Sequence, residues 1–192
     1  MKLVFSHSTF TFNIEVIMTK EKVVIVIDMQ NGVLANPRFD SAGRVARINQ
    51  LIDHADQVIF IQHIEDDMTE GSELWQLLPE LHHPESAISV NKTACDSFYR
   101  TSLDNIIAKF GATHLTICGC ATDYCVDTTV KIAASKGYAL TIASDAHTTA
   151  DRQHVTAQQL IAQHNEVWSE LAIPGNRITV KTTQQILTDW AG

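Results

Sequence analysis

Residues 115–130, LTICGCATDYCVDTTV, decide the fold that we predict for this chain. The first four residues are apolar and typical of a strand, Gly119 interrupts them, and from Thr122 the apolar residues recur with helical spacing. This order places Cys125 in the first turn of a helix. Unpaired N–H groups and the positive end of the helix dipole stabilise an anion there, so we expect a nucleophilic thiolate. The alternative is a buried structural cysteine, which is the commoner situation for this residue type.

Two other predicted strands end in charged residues. Residues 23–33, VVIVIDMQNGV, begin with a five-residue apolar strand that ends at Asp28. Residues 91–103, NKTACDSFYRTSL, follow a short apolar strand that ends at Lys92. Because ligands of open α/β sheets bind beyond the carboxyl ends of the strands, we expect the carboxylate, the ammonium and the Cys125 thiol to meet at one edge.

Together the three segments resemble the isochorismatase-like cysteine hydrolases, which include nicotinamidases and N-carbamoylsarcosine amidases. The matching motifs are D-M-Q (28–30), K-x3-D-S-F (92–98) and G-C-A-T-D-Y-C-V (119–126). The resemblance extends over residues 21–186, nearly the whole chain. It implies that Asp28 is the general base, Cys125 the nucleophile and Lys92 the cation beside them. It also implies a cis peptide bond before Ala121, with the N–H groups of Ala121 and Cys125 forming an oxyanion hole.

The predicted elements alternate between strand and helix about six times. This order predicts one α/β domain at residues 21–192, a three-layer, doubly wound, mainly parallel six-stranded sheet of the isochorismatase-like or Rossmann-like kind. No G-x-G-x-x-G follows the first strand, so no dinucleotide site is expected. Residues 1–20 lie outside the family pattern, and their partly alternating apolar residues suggest an edge strand or an arm onto a neighbouring subunit.

Composition narrows the function classes. A formal net charge of −8 without a Lys/Arg cluster argues against a nucleic-acid partner. No apolar run approaches the roughly 18 residues that a membrane span needs. The four cysteines have neither zinc-ribbon spacing nor a paired disulfide framework. We therefore expect a cytoplasmic enzyme that acts on a small molecule, needs no cofactor and, like the relatives that it resembles, forms a homo-oligomer.

Substrate and metal candidates follow from the same comparison. The residues expected to line the substrate pocket are Gln62, Trp75, Phe98 and Tyr124. Nicotinamidases carry a metal-binding D-x-H motif after the second strand, whereas this chain has H-I-E at residues 63–65. The adjacent His82 and His83 lie in a charged loop where histidines are usually solvated. We therefore predict no metal site.

Several alternatives to amide hydrolysis stay open on the sequence. Relatives that cleave the vinyl ether of isochorismate keep the aspartate and the lysine but lack the cysteine, so Cys125 favours cleavage of a C–N bond. Asp145 and His147 suggest a papain-like triad with Cys125, which we rank second. The chain could also bind a small molecule without turnover, or sense oxidants through Cys118, Cys120 and Cys125.

Overall fold

Residues 21–192 are described by the computed structural model, in which six parallel strands form one sheet between two layers of helices. The strands are β1 (Val23–Ile27), β2 (Gln57–His63), β3 (Ile88–Lys92), β4 (His114–Cys120), β5 (Ala139–Thr148) and β6 (Ile178–Lys181). Their order in the sheet is β3-β2-β1-β4-β5-β6, and every neighbouring pair is parallel. The three-layer, doubly wound α/β prediction is confirmed. The arm or edge strand proposed for residues 1–20 lies outside the described residues.

Six helices and one π-helical turn cover the sheet. The helices are α1 (Asn31–Leu34), α2 (Ser41–His54), α3 (Leu103–Lys109), α4 (Asp127–Ser135), α5 (Ala157–Glu170) and α6 (Thr183–Ala191). The π-helical turn, Thr122–Val126, leads directly into α4. Apolar residues of α2 and α6 form the core on one face of the sheet, and those of α3, α4 and α5 form the core on the other.

Strand β1 lies at the centre of the fold because both of its faces are apolar. All five of its residues are buried, and alternate side chains enter opposite cores: Ile25 packs with the α3–α4 side, and Val24 and Val26 pack with the α2 side. The order in which successive strands are added reverses at this strand, since β2 and β3 lie on one side of it and β4 to β6 on the other. In open α/β sheets, ligands bind in a crevice at such a switch point, which here is the carboxyl ends of β1 and β4.

Gly119 permits the close contact between β4 and β1 at this crevice. It lies opposite Ile27 in the parallel register, with φ of 119°. A Cβ added at Gly119 would stand 2.2 Å from the Ile27 carbonyl oxygen, so only glycine fits. The contact comes one residue before Asp28 and just before the turn that carries Cys125.

The long connection between β2 and β3 is irregular. Among the described residues, 64–87 form turns and isolated bridges and no helix. Carbonyls of this segment accept bonds from the start of α1, where Asn31 N–H donates to Gln76 O at 2.9 Å and Gly32 N–H donates to Leu74 O at 2.8 Å. These long-range bonds replace the bonds of a local helix and hold the segment over the edge of the sheet.

Candidate active site

The side chains of Asp28, Lys92 and Cys125 meet at the carboxyl edge of the sheet. Asp28 follows β1, Lys92 ends β3 and Cys125 lies in the π-helical turn after β4. Lys92 Nζ lies 2.7 Å from Asp28 Oδ2 and donates to Cys125 Sγ at 3.2 Å. Asp28 and Lys92 are buried, and Cys125 is half-buried. Three segments far apart in the sequence thus form one charged cluster.

The two carboxylate oxygens of Asp28 are in different situations. Oδ2 pairs with Lys92, whereas Oδ1 is buried and has no hydrogen-bond partner among residues 21–192. The backbone of Asp28 is left-handed, with φ of 48°, and its N–H donates to Ile61 O at 2.9 Å. A non-glycine residue is strained in this conformation, and such strain is common at functional sites. Oδ1 is thus a buried oxygen that is able to accept a proton.

Protonation states in this cluster are set by burial and by the charges of its members. Burial raises the pKa of Asp28, and the positive charge of Lys92 opposes part of the rise. Burial also acts to lower the pKa of Lys92, but Asp28 and Cys125 outweigh it, so that pKa is raised and the amine is an ammonium. For Cys125, burial and the charge of Asp28 raise the pKa more than Lys92 lowers it.

The surroundings of Cys125 therefore favour the thiol, whereas the sequence favoured a thiolate at this position. A helix terminus and a cation lower the pKa of a cysteine. Burial of the sulfur and the neighbouring charge of Asp28 act in the opposite direction, because both disfavour the anion. A nucleophilic Cys125 consequently needs a base to take its proton as it attacks.

The turn that carries Cys125 is π-helical and not the first turn of an α-helix. Ala121 O accepts bonds from Tyr124 N–H at 3.0 Å and from Val126 N–H at 3.1 Å. The Cys120–Ala121 peptide bond is cis. Ala121 and Cys125, the two residues expected to supply oxyanion donors, therefore belong to one compact turn.

His63 is a site residue that the sequence analysis missed. Its Nδ1 lies 2.9 Å from Lys92 Nζ, so the ammonium has a third neighbour. The sequence showed His63 only as a departure from a metal motif. Its meeting with Lys92 depends on the register between β2 and β3, in which the two residues are directly paired. The only local signal was its position at the end of a buried strand.

A metal ion could find donors in this cluster, but a cation is already present. Potential ligand atoms of Asp28, His63 and Cys125 lie within 4.8 Å of one another. Lys92 Nζ is within hydrogen-bond distance of all three, so the ammonium occupies the centre of the set.

The adjacent histidines of the loop do not act together. His82 Nδ1 lies 2.7 Å from Asp53 Oδ1, whereas the ring of His83 stacks on Phe60 with centroids 5.0 Å apart. The two rings therefore face different partners.

Two of the four expected substrate residues hold the loop over the site. Gln62 is buried and its Nε2 donates to Trp75 O at 3.1 Å. Gln30, the last residue of the D-M-Q motif, donates to the same carbonyl at 2.8 Å. The indole N–H of Trp75 donates to Asn91 Oδ1 at 3.1 Å. These bonds fix the backbone and ring of Trp75 beside the crevice, and Gln62 supports that loop.

Phe98 and Tyr124 have opposite environments. Phe98 is buried in the core, where its ring stacks on Tyr138 with centroids 5.9 Å apart. Phe98 is therefore a core residue, in the apolar cluster against which Cys125 also packs, and its role in the substrate pocket stays a prediction. Tyr124 is 53% exposed on the turn beside Cys125, with the Arg152 guanidinium 4.9 Å from its ring centroid. Tyr124 thus remains available to a ligand.

The papain-like alternative fails because His147 and Asp145 are bonded elsewhere. His147 is buried; its Nδ1 accepts from Thr122 Oγ1 at 2.9 Å and its Nε2 donates to Asn165 Oδ1 at 3.0 Å. Asp145 Oδ1 accepts from the backbone N–H and the hydroxyl of Thr183, each at 2.8 Å. Burial lowers the pKa of His147 to about 4, so the ring is neutral. Through its hydrogen bond with Thr122, His147 supports the start of the π-helical turn.

Thiol redox sensing also finds little support in the geometry. The four cysteines are free, and Cys118 and Cys120 are fully buried. Burial raises the pKa of both thiols, that of Cys120 to about 12. Thiols in this environment are poor nucleophiles, so they do not form a reactive group with Cys125.

Several known proteins are similar to this chain in sequence or in structure. An isochorismatase domain model matches residues 22–170. The isochorismatase family protein YddQ of Bacillus subtilis is 27% identical over 179 residues, which cover 85% of this chain and 97% of YddQ. A streptothricin hydrolase of Streptomyces noursei is 28% identical over 140 residues, 68% of this chain and 55% of the hydrolase. The crystal structure of an isochorismatase from Pseudomonas putida KT2440 superposes with a TM-score of 0.76 at 26% identity, covering 85% of this chain and 88% of that one.

The helices give no sign of a membrane segment. Within residues 21–192, each helix is too short or too polar to cross a bilayer.

Proposed function

This chain belongs to the isochorismatase family of hydrolases, and we propose that it cleaves an amide or related C–N bond of a small molecule through a thioester on Cys125. Asp28 is the general base, and Lys92 is the cation that contacts both Asp28 and Cys125. The observation that carries the proposal is the contact of one buried ammonium with Asp28 Oδ2 at 2.7 Å and Cys125 Sγ at 3.2 Å. The unpartnered Asp28 Oδ1 supplies a proton acceptor in the same cluster.

In the first half of the reaction, the Cys125 sulfur attacks the carbonyl carbon as its proton passes to Asp28. A sulfur–carbon bond forms, and the electrons of the carbonyl π bond move to oxygen. The tetrahedral intermediate then collapses, breaks the C–N bond and expels the amine, which takes the proton from Asp28. The acyl group remains on Cys125 as a thioester.

In the second half, water replaces the amine. Asp28 takes a proton from the attacking water, and the second tetrahedral intermediate releases the acid as the proton returns to the sulfur. Asp28 and Cys125 end in their starting states. The ammonium of Lys92 stabilises the negative charge as it passes between carboxylate and sulfur.

The oxyanion formed in each half needs its own donors. We assign these to the backbone N–H groups of Ala121 and Cys125. In enzymes where such a donor was removed, the loss corresponded to roughly 2.7–4 kcal/mol of transition-state stabilisation.

A second candidate is the acid-catalysed cleavage of a vinyl ether, as in isochorismatase itself. It is favoured by one observation: burial raises the pKa of Asp28, which makes that carboxyl a possible proton donor. This reaction requires Asp28 but not a sulfur nucleophile. The half-buried thiol beside Lys92 therefore favours the first candidate.

A substrate screen with matched variants distinguishes these reactions. Small amides, carbamoyl compounds, streptothricin and isochorismate are incubated with the wild type, Cys125→Ala, Asp28→Asn and Cys95→Ala. We expect turnover of a C–N compound by the wild type and by Cys95→Ala, and none by Cys125→Ala with an unchanged circular dichroism spectrum. Cys95 is the matched control because it is also free and half-buried.

Two results would contradict the C–N mechanism. Full activity of Cys125→Ala on isochorismate, with loss in Asp28→Asn, would establish vinyl ether cleavage. Saturable binding of a panel compound by calorimetry without turnover would indicate a binding protein. A covalent adduct on Cys125, seen in the intact mass after a rapid acid quench, would support the thioester directly.

A further inference from the structure

The Lys92 ammonium has one N–H for each of three surrounding acceptors. Asp28 Oδ2 lies at 2.7 Å, His63 Nδ1 at 2.9 Å and Cys125 Sγ at 3.2 Å from Nζ. Lys92 is 2% exposed, so water cannot readily replace a missing partner. A buried ammonium is stable only when its donors are satisfied. His63 therefore completes a hydrogen-bond shell that the proposed catalytic residues leave one bond short.

The protonation of Lys92 determines the form of the His63 ring. Because the net effect of its surroundings raises the pKa of Lys92, the amine donates and His63 Nδ1 accepts. A neutral imidazole that accepts at Nδ1 carries its proton on Nε2. Burial lowers the pKa of His63 most, and the charge of Lys92 lowers it further, which agrees with a neutral ring.

The backbone of His63 is held on both sides. His63 N–H donates to Gln30 Oε1 at 2.7 Å, and Gln30 Nε2 donates to His63 O at 3.0 Å. The β2–β3 register pairs His63 with Lys92, and the next N–H, of Ile64, donates to Lys92 O at 2.8 Å. The position of the ring beside the ammonium is thus fixed by two strands and by the glutamine of the D-M-Q motif.

We propose that His63 is a positioning residue that makes Lys92 bind only one oxygen of Asp28. With its third N–H engaged by His63, the ammonium pairs with Oδ2 and leaves Oδ1 without a partner. Without His63, that N–H has the same carboxylate as an alternative acceptor, and a bond to Oδ1 would occupy the oxygen that takes the Cys125 proton. This inference rests on the proposed function, because it assigns Oδ1 as the atom of the general base.

The first test is spectroscopic and needs no substrate. In histidine-¹⁵N-labelled protein near neutral pH, long-range ¹H–¹⁵N correlation spectra distinguish the two neutral tautomers and the imidazolium. We expect His63 to be the Nε2–H tautomer, with its signals assigned by their loss in His63→Asn. In Lys92→Met the preference should relax towards a mixture. An Nδ1–H or doubly protonated His63 in the wild type would overturn the proposal.

The second test measures the reactivity of Cys125 with iodoacetamide, followed by peptide mass spectrometry so that the other cysteines are counted separately. His63→Leu removes the acceptor, whereas His63→Asn places an amide oxygen where Nδ1 stood. We expect the leucine variant to react about tenfold or more slowly, the size expected for one hydrogen bond to a charged group, and the asparagine variant to react within about threefold of the wild type.

The outcomes separate this inference from the proposed function. Wild-type rates in both variants, or equal losses in both, would overturn the positioning role, because only an acceptor effect distinguishes leucine from asparagine. Should wild-type Cys125 resist iodoacetamide, the nucleophile of the proposed function is wrong. The tautomer spectrum then decides alone whether Lys92 donates to His63.

Discussion

Replacing Lys92 with methionine should destabilise the fold by about 3–5 kcal/mol near neutral pH, the usual cost of removing one partner of a buried ion pair. The side chains of Lys92 and Asp28 are 0% and 3% exposed and their charged atoms lie 2.7 Å apart. Methionine keeps most of the volume of the lysine stem, so the loss reflects the uncompensated Asp28 carboxylate more than a cavity. The matched control is Lys131→Met. Lys131 also lies 2.7 Å from its partner, Asp127, but the Lys131 side chain is 45% exposed, so the expected cost is about 0.3–0.5 kcal/mol.

The Lys92→Met penalty should increase with pH. Burial already raises the pKa of Asp28, and loss of the lysine charge raises it further. A group whose folded pKa lies above its unfolded value contributes stability at low pH that is lost as the pH rises towards the folded pKa. At pH values between the folded-state pKa of Asp28 in the wild type and that in the variant, Asp28 keeps its proton only in the folded variant. The penalty therefore grows by about 1.4 kcal/mol per pH unit in this range.

Urea denaturation at several pH values measures both effects. The double variant Asp28→Asn/Lys92→Met, which has no buried charge at either position, should recover most of the stability and lose the pH dependence. A penalty below about 1 kcal/mol, as for an exposed pair, or one that does not change with pH, would refute the buried ion pair.

Two further predictions concern the supports of the site. Gly119→Ala should lower the free energy of unfolding, measured by urea denaturation, by about 3 kcal/mol or more, because the new Cβ would stand 2.2 Å from the Ile27 carbonyl oxygen at a φ of 119°. The control is Gly137→Ala, at φ of 93° with open space around its Cβ, which should cost about 1–2 kcal/mol. Equal losses in the two variants would disprove the steric explanation. His147→Gln should flatten the acid side of the profile of folding stability against pH. Burial lowers the pKa of His147 from 6.5 to about 4, so the wild type has stability above pH 6.5 that is lost as the pH falls to about 4. This loss amounts to roughly 3 kcal/mol. Parallel profiles of His147→Gln and wild type would contradict that assignment.

The sequence by itself determined the sheet and the residues at its edge. Strand β1 is five apolar residues followed by Asp28, and β4 is an apolar run followed by a glycine and the cysteine turn. Such patterns are local, because the period of apolar residues and the position of a chain break depend on a few neighbours. The carboxyl ends of parallel strands share one edge, so Asp28, Lys92 and Cys125 could be expected to lie near one another before their distances were known.

Only the tertiary structure decided how these groups interact. His63 meets Lys92 through the register of two strands whose paired residues are 29 positions apart, and no local pattern encodes that register. Phe98 turned out to pack in the core, although its motif placed it beside the site. The protonation of Cys125 depends on burial and on the charge of Asp28, to which distant segments of the chain contribute. Electrostatic energy depends on distance and on exclusion of water, and both arise only when those segments have packed together.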